Sequence, residues 1–247
     1  MNEFFYTKDL CRYFGGIHAT NQVNFQLRPS ELRSIIGPNG AGKTTLVNII
    51  TGRIPANSGR VVYKDEDITN RPPHVLVKKG ISRTFQISSI FPDLSVFENL
   101  RIARQSKLGG SCRIFSKKES LRKVNEDAWK ILERLELEDV ARVVAQNLAY
   151  GDQRVLEVAI ALCADPEILF LDEPTAGMSP AETHRTTELI KGLTEHLSVV
   201  LIEHDMEVVM SVSDSITVLH QGRIIADGTP EEIRQNEEVK EAYLGQE

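Results

Sequence analysis

Short apolar runs alternate with stretches of helical periodicity along most of the chain. Residues 168–171 and 199–202 are two such runs, and neither contains a polar side chain. Continuous apolar runs of this length are typical of strands that are covered on both faces of a parallel sheet. Because helical patterns separate these runs, the sequence predicts an α/β fold with a largely parallel sheet.

The N-terminal part of the chain has a different pattern. Residues 4–10, 23–28 and 60–68 look like strands that are joined by turns. Strands that follow one another in this way favour antiparallel pairing, so we expect an antiparallel layer beside the parallel core. Residues 216–227 predict a hairpin that turns at Gln221 and Gly222.

Two stretches predict individual helices. Thr229, Pro230 and Glu232 form a capping box with proline at the first helical position, which indicates a helix start. Apolar side chains recur at helical spacing between residues 126 and 137, where Trp129 is interpreted as a core residue. The residues that give this spacing are Ala128, Ile131, Leu132 and Leu135.

Length, composition and charge narrow the class of protein. With 247 residues and 41% apolar content, the chain can form one large domain or two interlocked lobes. We expect no signal peptide, and no run approaches the roughly 18 apolar residues of a membrane span. A net charge of -6 argues against nucleic-acid binding. Cys11, Cys112 and Cys163 have no metal-binding spacing and are interpreted as reduced cytosolic thiols.

Residues 37–44, GPNGAGKT, fit the phosphate-loop pattern G-x-x-x-x-G-K-[ST] in full. The glycines let backbone N–H groups turn toward phosphate oxygens, and the following helix adds the positive end of its dipole. In such a loop Lys43 reaches the β- and γ-phosphates and Thr44 binds magnesium. The ATP-binding residues expected here are Gly37, Asn39, Gly40, Gly42, Lys43, Thr44 and Thr45.

A pair of carboxylates follows the apolar run at 168–171. Asp172 and Glu173 therefore lie at the carboxyl end of a strand, where α/β sheets bind ligands. Asp172 suits a magnesium shell, and Glu173 can polarise a water for attack on the γ-phosphate. Together with the phosphate loop, the pair predicts a nucleotide phosphohydrolase or kinase. No Asn-Lys-x-Asp motif occurs, which argues against a small GTPase.

Further motifs resemble the ABC ATPase family over nearly the whole chain. Gln86, in the string RTFQ, looks like the Q-loop glutamine, and His204 matches the switch histidine that contacts the γ-phosphate. Residues 176–179 match the D-loop. The resemblance implies that Glu173, His204 and Gln86 are catalytic, and that magnesium is bound by Thr44, Gln86 and Asp172.

Residues 147–153, NLAYGDQ, resemble the signature motif of that family. Ala149 and Asp152 replace the serine and the glutamine of its commonest form, LSGGQ, whereas Gly151 is retained. We therefore expect backbone N–H groups and a helix dipole to contact the phosphate, and we expect the Asp152 carboxylate to face away from it, holding the helix start or a neighbouring residue. The expected ATP-binding residues of this loop are Leu148, Ala149 and Gly151.

The adenine site is assigned through the same resemblance. Phe14 precedes Lys43 by 29 residues, which is the usual place for the aromatic side chain that stacks on adenine, although the adjacent Tyr13 is an alternative. Four short strings resemble the ATPases of branched-chain amino acid importers. They are RYFGG at 12–16, LAYGDQR at 148–154, IEHDM at 202–206 and AYLG at 242–245.

The family resemblance implies one ABC ATPase domain over residues 1–247. Residues 1–87 and 164–247 would form the ATP-binding core, a RecA-like phosphate-loop fold with a flanking antiparallel β layer. Residues 88–163 would form an inserted helical subdomain. ATP and Mg²⁺ are the implied cofactors, and two subunits would pair head to tail around ATP.

The implied partners are a second, identical or related ABC ATPase subunit and permease subunits on separate chains. An extracytoplasmic binding protein would act indirectly, and the chain would lie at the cytoplasmic face of the membrane. The basic side chains between residues 107 and 123 form either a solvated surface or a contact with lipid headgroups or a membrane partner. Because other chains select the substrate, this sequence does not identify it.

Two other functions fit parts of the sequence. A soluble ABC ATPase of an assembly system, such as iron–sulfur assembly, would have the same motifs without a membrane partner, whereas a DNA-repair member needs a coiled-coil insertion that this chain cannot accommodate. A non-hydrolysing regulatory module is the second alternative. The presence of Glu173, Gln86 and His204 argues against it.

Overall fold

The computed structural model describes residues 4–84, 90–107 and 118–244. The strands are β1 Phe5–Phe14, β2 Ile17–Val23, β3 Gln26–Leu27, β4 Leu32–Ile36, β5 Ser58–Tyr63, β6 Glu66–Asp67, β7 Ile81–Arg83, β8 Ile168–Asp172, β9 Ser198–Ile202, β10 Ser215–His220 and β11 Arg223–Gly228. The helices are α1 Lys43–Ile50, α2 Pro73–Lys78, α3 Val96–Lys107, α4 Lys118–Arg134, α5 Tyr150–Leu162, α6 Pro180–Leu193, α7 Met206–Val212, α8 Pro230–Gln235 and α9 Glu237–Leu244.

The central sheet has the order β11-β10-β4-β9-β8-β7 in the described part of the chain. Neighbouring strands from β10 to β7 pair in parallel, and β11 pairs antiparallel with β10. Every residue of β4, β8 and β9 is buried, as expected for strands that are covered on both faces. The predicted α/β core is confirmed, and it places the carboxyl ends of β4, β8 and β9 at one edge of the sheet.

A second sheet has the order β2-β1-β5-β6, with β3 also paired to β1, and its pairings are antiparallel. The predicted antiparallel layer is therefore confirmed, but the predicted strand bounds are wrong. The strand expected at 4–10 continues to Phe14, and only Gln26–Leu27 is a separate strand within 23–28. Register shifts in β1 and a polar edge strand, β2, explain the error, because both obscure the apolar alternation on which the prediction depended.

The predicted C-terminal hairpin and helix start are confirmed. Gln221 and Gly222 both have positive φ, at +47° and +78°, which suits a two-residue hairpin turn. The Thr229 side chain accepts a hydrogen bond from the Glu232 backbone N–H, and the Glu232 side chain accepts one from the Thr229 backbone N–H. The hairpin and the capping box thus fix the chain direction after β10.

Helices α3, α4 and α5 lie between β7 and β8 in the chain and share one apolar cluster with β8 and β9. The helix expected at 126–137 is α4, which begins at Lys118 and ends at Arg134. Trp129 was predicted to be a core residue, and this is wrong, since it is 40% exposed. The buried side of α4 carries Val124, Ala128 and Leu132 at i, i+4 and i+8, which directs Trp129 to the surface beside Phe97.

The domain division at residues 88–163 stays a prediction. Among the described residues, no helix combines the length and the apolar character that a membrane crossing requires.

Candidate functional site

The phosphate loop connects β4 to α1 and is enclosed by backbone from two other strands. A side chain on Gly37, which has φ +148°, would place its Cβ 2.1 Å from the carbonyl oxygen of Leu219. A Cβ on Gly42, which has φ +105°, would lie 2.3 Å from the carbonyl oxygen of Ala19. Both positions require glycine, so the loop conformation follows from the residues of the motif.

Lys43 is half-buried at the first residue of α1. Its Nζ donates to the carbonyl oxygens of Gly37 and, at 3.0 Å, Pro38. Burial lowers the pKa of Lys43, and the opposing negative charges of Glu173 and Asp172 raise it. The ammonium group therefore lies within electrostatic reach of both predicted carboxylates, as a phosphate-binding lysine beside a magnesium site requires.

Asp172 and Glu173 have different environments at the end of β8. Asp172 is buried, and its Oδ2 accepts from Arg83 Nη2 at 2.6 Å. Glu173 has φ +49°, its backbone N–H donates to the carbonyl oxygen of Ile202, and its side chain is 44% exposed. Positive φ costs free energy in a residue other than glycine and often occurs at functional sites. The turn directs an accessible carboxylate out of the sheet edge.

His204 follows β9 and is brought next to Glu173. The Nδ1 atom of His204 is 3.8 Å from Glu173 Oε1 and 3.8 Å from Glu203 Oε2. Its side chain is largely exposed. Two predicted catalytic residues that are far apart in the sequence therefore lie side by side, because β8 and β9 are parallel neighbours.

Glu203 is a buried carboxylate that the sequence analysis did not assign. Its Oε1 accepts from Thr175 Oγ1 at 2.6 Å and from the Thr175 backbone N–H at 3.2 Å. These bonds tie the residue before His204 to the loop after Glu173. Its place directly after the apolar strand β9 is the same signal that identified Asp172 after β8.

The signature residues form the start of α5. Ala149 is the exposed N-cap residue and makes no side-chain capping hydrogen bond, whereas the Glu182 carboxylate of α6 accepts from the backbone N–H of Gly151 in the first turn. The helix begins at Tyr150 and contains Asp152 in its first turn. The Leu148 side chain is buried in the apolar cluster, so its backbone is what remains for the predicted ATP contact.

Asp152 lies in the first turn of α5 and accepts a hydrogen bond at 3.1 Å from Arg185 Nη1 on α6. The same arginine donates to the carbonyl oxygen of Glu136 at 2.9 Å. The expectation that the Asp152 carboxylate holds a neighbouring residue is confirmed. Its charge is paired within the chain, and this pair fixes α5 relative to α6.

The signature loop also packs against residues 176–179 and the helix that follows them. The Tyr150 ring lies against Gly177, which has φ +79°. A Cβ on Gly151 would lie 2.8 Å from Glu182 Oε1, and Glu182 forms a capping box with Ser179. The loop predicted to act across a dimer is thus positioned by the predicted D-loop of the same chain. No role for Glu182 was predicted from the sequence.

Phe14 ends β1 at the tip of the hairpin with β2, and it is 47% exposed. The guanidinium carbon of Arg12 is 4.7 Å from the centroid of the Phe14 ring. The Tyr13 ring instead contacts His18, with ring centroids 4.5 Å apart. Because β2 contacts the phosphate loop at Gly42, the hairpin that carries Phe14 is anchored beside that loop.

Two parts of the prediction lie outside the described residues. Gln86 is one of them, and residues 108–117 of the basic segment are the other. Two of the described basic side chains of this segment form ion pairs, Lys107 with Asp165 and Arg122 with Glu126.

The residues present have the chemistry of a nucleotide-dependent magnesium site. No cluster of three or more His, Cys, Asp or Glu side chains in the described ranges could hold a metal ion by itself. Magnesium commonly takes one or two protein oxygens and completes its shell with substrate phosphates and water. The Thr44 hydroxyl, next to Lys43 in α1, and the Asp172 carboxylate at the end of β8 supply such oxygens.

Comparison with protein families gives two matches. A model described as "ABC transporter" matches residues 20–176. A second, described as "Branched-chain amino acid ATP-binding cassette transporter", matches residues 223–247. The matches span the phosphate loop, the signature loop, the carboxylates after β8 and the C-terminal helices.

Relatives of known designation resemble nearly the whole chain. The high-affinity branched-chain amino acid transport ATP-binding protein LivG of Escherichia coli K12 is 44% identical over 248 residues, with 96% of each chain covered. Its counterpart BraF of Pseudomonas aeruginosa is 43% identical over 244 residues, again with 96% of each covered.

Solved structures agree with these relatives. The ADP conformation of MJ1267, an ATP-binding cassette of an ABC transporter, has a TM-score of 0.87 at 32% identity and covers 100% of both chains. A dimeric post-hydrolysis state of the cassette MJ0796, bound to ADP and phosphate, has a TM-score of 0.74 at 26% identity and covers 92% of this chain and 99% of that one.

Proposed function

This chain belongs to the ATP-binding proteins of ABC transporters, and we propose that its ATP hydrolysis powers the import of branched-chain or related amino acids. It is an ATPase of the transporter type. The extensive similarity to LivG and BraF supports the choice of substrate class. The same similarity favours a transporter over a soluble assembly ATPase.

ATP binding rests on the phosphate loop. Backbone N–H groups of residues 37–44 and the N-terminus of α1 receive the phosphates, and Lys43 exchanges its bonds to Gly37 and Pro38 for bonds to the β- and γ-phosphates. Phe14 stacks on adenine from the tip of the β1–β2 hairpin. The other proposed contacts of the loop are made by Asn39, Gly40, Gly42, Thr44 and Thr45.

Thr44 and Asp172 would hold Mg²⁺ together with the nucleotide, and Gln86 is proposed as a further ligand. When bound there, the ion would supply positive charge to the phosphate oxygens. Glu173 accepts a proton from the water that attacks the γ-phosphorus, and its exposed carboxylate is accessible for this step. As the new P–O bond forms, the bond from the γ-phosphorus to the bridging oxygen breaks, and ADP leaves with inorganic phosphate as the other product. His204 lies beside Glu173 and contacts the γ-phosphate. This contact keeps the attacking water, the Glu173 carboxylate and the γ-phosphate correctly positioned relative to one another.

The observation that carries this mechanism is the meeting of the carboxyl ends of β4, β8 and β9 at one edge of the sheet. It brings the loop with Lys43 to the same edge as Asp172, Glu173 and His204, and the last two lie 3.8 Å apart. The other half of the proposed ATP site comes from another subunit. Leu148, Ala149 and Gly151 of one chain close over ATP held by its partner, and the partner is an identical or a related ATPase. The dimeric state of the similar cassette MJ0796 supports this arrangement.

Permease subunits on separate chains convert closure of the ATPase pair into transport, and an extracytoplasmic binding protein delivers the substrate. The ATPase then lies at the cytoplasmic face of the membrane as a peripheral subunit. Nucleic acid is not a proposed partner.

Reconstitution with permease and binding-protein subunits encoded next to this chain tests the proposal. We expect leucine, isoleucine or valine to stimulate phosphate release from the assembled complex in vesicles, with lysine as the unrelated control. Stimulation by none of the three would reject the substrate class. Failure of the chain to co-purify with any membrane protein, while it still hydrolyses ATP, would instead favour the soluble assembly ATPase.

A further inference from the structure

Arg83 is a buried arginine at the end of β7 that touches the proposed metal ligand. Its side chain is 5% exposed, and that of Asp172 is 3% exposed. The Nη2 atom of Arg83 lies 2.6 Å from Asp172 Oδ2, and its Nη1 atom lies 2.6 Å from Asn48 Oδ1 on α1. One guanidinium group therefore joins β7, β8 and the helix of the phosphate loop.

Stability alone is a weak explanation for this pair. Desolvation of two charges offsets most of their attraction, and apolar replacements of buried ion pairs are often as stable. The Nε atom of Arg83 is also buried without a hydrogen-bond partner among the described residues, which adds a further cost. An arrangement that contributes little to stability, and that contacts a proposed metal ligand, is better explained by geometry at that ligand.

The planar guanidinium group is suited to fixing a carboxylate. Because two of its nitrogen atoms are held by different elements, the plane of Arg83 is set by α1 on one side and directs Nη2 at Asp172 on the other. The pair uses Oδ2 of Asp172 and leaves Oδ1 outside the pair. Side chains that orient metal ligands in this way commonly change metal affinity when they are removed.

We propose that Arg83 is a positioning residue that orients the Asp172 carboxylate for the magnesium ion of bound MgATP. The inference rests on the proposed function, which assigns Asp172 to magnesium. In addition, it states that Arg83 on β7, which is itself held by Asn48 on α1, orients the Asp172 carboxylate. The helix that follows the phosphate loop is thereby linked to the proposed metal ligand through one guanidinium group.

The test measures metal affinity without catalysis. Mn²⁺ replaces Mg²⁺ as a paramagnetic probe, and its binding to the full chain saturated with a non-hydrolysable ATP analogue is followed by electron paramagnetic resonance. Arg83→Met should weaken Mn²⁺ binding roughly 10- to 100-fold. Arg83→Lys should weaken Mn²⁺ binding less than Arg83→Met does, because the ammonium group keeps the positive charge beside Asp172. It should still weaken binding, because an ammonium group lacks the planar guanidinium donors that bond Asp172 and Asn48 at once.

Two further variants separate orientation from folding. Asn48→Ala removes the contact from α1 without leaving a buried charge unpaired, and it should weaken Mn²⁺ binding by a smaller factor. Arg33→Met removes another buried, ion-paired arginine, which contacts Glu31 and Asp227, and it should leave Mn²⁺ affinity unchanged. Thermal unfolding of each variant shows that the protein is folded where affinity is measured.

Asp172→Asn distinguishes the inference from the function on which it rests. If Asp172→Asn weakens Mn²⁺ binding, Arg83→Met in that background should have no further effect. Unchanged or tighter Mn²⁺ binding in Arg83→Met, with weaker binding in Asp172→Asn, overturns the positioning role and keeps the magnesium assignment. Unchanged binding in Asp172→Asn overturns the magnesium assignment and the inference together.

Discussion

The phosphate loop and the signature loop each lead into the start of a helix, but different residues surround the two helix starts. In neither helix does the N-cap residue make a side-chain capping hydrogen bond within the described part of the chain. By contrast, α6, α7 and α8 are capped by Ser179, Asp205 and Thr229. Uncapped N–H groups and the positive end of the dipole favour an anion, which supports the proposal that both loops bind phosphate. Among the described residues, helix α2 also begins without a side-chain cap, so the proposal depends on the loop residues as well.

The difference lies in what surrounds each helix start. The phosphate loop is enclosed by its own chain, at Leu219 and Ala19, and contains its own cation, Lys43. The signature loop exposes Ala149 and Tyr150. Around it, Glu182 lies beside Gly151, Asp152 is paired with Arg185, and Arg154 donates to the Tyr150 hydroxyl. The phosphate loop is enclosed within a single chain, whereas the signature loop is proposed to bind a phosphate that is held by a partner subunit.

Glu173→Gln should have the largest effect. We expect this variant to accumulate as a dimer in which ATP stays bound between the phosphate loop of one subunit and the signature loop of the other. Loss of a positioned base slows turnover by about 10²- to 10⁴-fold, while ATP binding remains. Phosphate release and size-exclusion chromatography with ATP measure the two halves of this expectation. Turnover within twofold of the unmodified protein would remove Glu173 from the mechanism.

Gly151→Asp should abolish the contribution of the signature loop and leave ATP binding by the phosphate loop intact. The new carboxylate adds charge where the partner's phosphate is expected, and its Cβ would lie 2.8 Å from Glu182 Oε1 in the same chain. In a Glu173→Gln background, the variant should bind ATP as a monomer and fail to dimerise in chromatography. Gly192→Asp is the matched control, because a Cβ at that exposed helical position meets nothing within 4 Å. Dimerisation as strong as in the parent would reject the signature assignment at residues 148–153.

Lys43→Ala should weaken ATP binding by the phosphate loop. Hydrogen bonds to charged groups contribute about 1.5–3 kcal/mol, which corresponds to roughly 10- to 100-fold weaker ATP binding. Titration with a fluorescent ATP analogue measures the loss, with the exposed Lys240→Ala as control. An unchanged dissociation constant would contradict the phosphate-loop assignment.

Phe14→Ala tests the adenine end of the complete site. Loss of an aromatic contact should weaken ATP binding by about 1 kcal/mol, and GTP should still bind to some degree because stacking does not distinguish the bases by hydrogen bonds. The same titration compares Tyr13→Ala, whose ring packs on His18. If only the tyrosine variant loses affinity, the stacking residue is Tyr13.

Ala149→Ser should have the smallest effect. The loop is expected to act through its backbone, so a restored hydroxyl should leave steady-state hydrolysis unchanged or raise it modestly. A large increase in phosphate release would mean that side-chain donation across the dimer limits this protein, and that the two loops differ more than their backbones indicate.

The sequence by itself determined the features that depend on neighbouring residues. The glycine pattern at 37–44, the capping box at Thr229, the hairpin turn at Gln221 and the carboxylates after β8 all follow from local backbone preferences and short spacing. Apolar runs that alternate with helical patterns were enough to predict the α/β core with its antiparallel layer. The family was identified from the order of the phosphate loop, the Q-loop, the signature motif, the carboxylate pair and the switch histidine. The assignments of Phe14, Gln86 and the domain bounds stay predictions.

Only the tertiary structure decided how distant segments meet. Arg83 and Asp172 are 89 residues apart, and Glu203 binds Thr175 from a neighbouring strand end. Gly151 meets Glu182 because α5 and α6 pack together, and Trp129 is exposed because the buried side of α4 is one position away. Periodicity and local motifs describe which side chains a segment offers. Which of them are brought together depends on strand order and helix packing, and these are set by interactions spread over the whole chain.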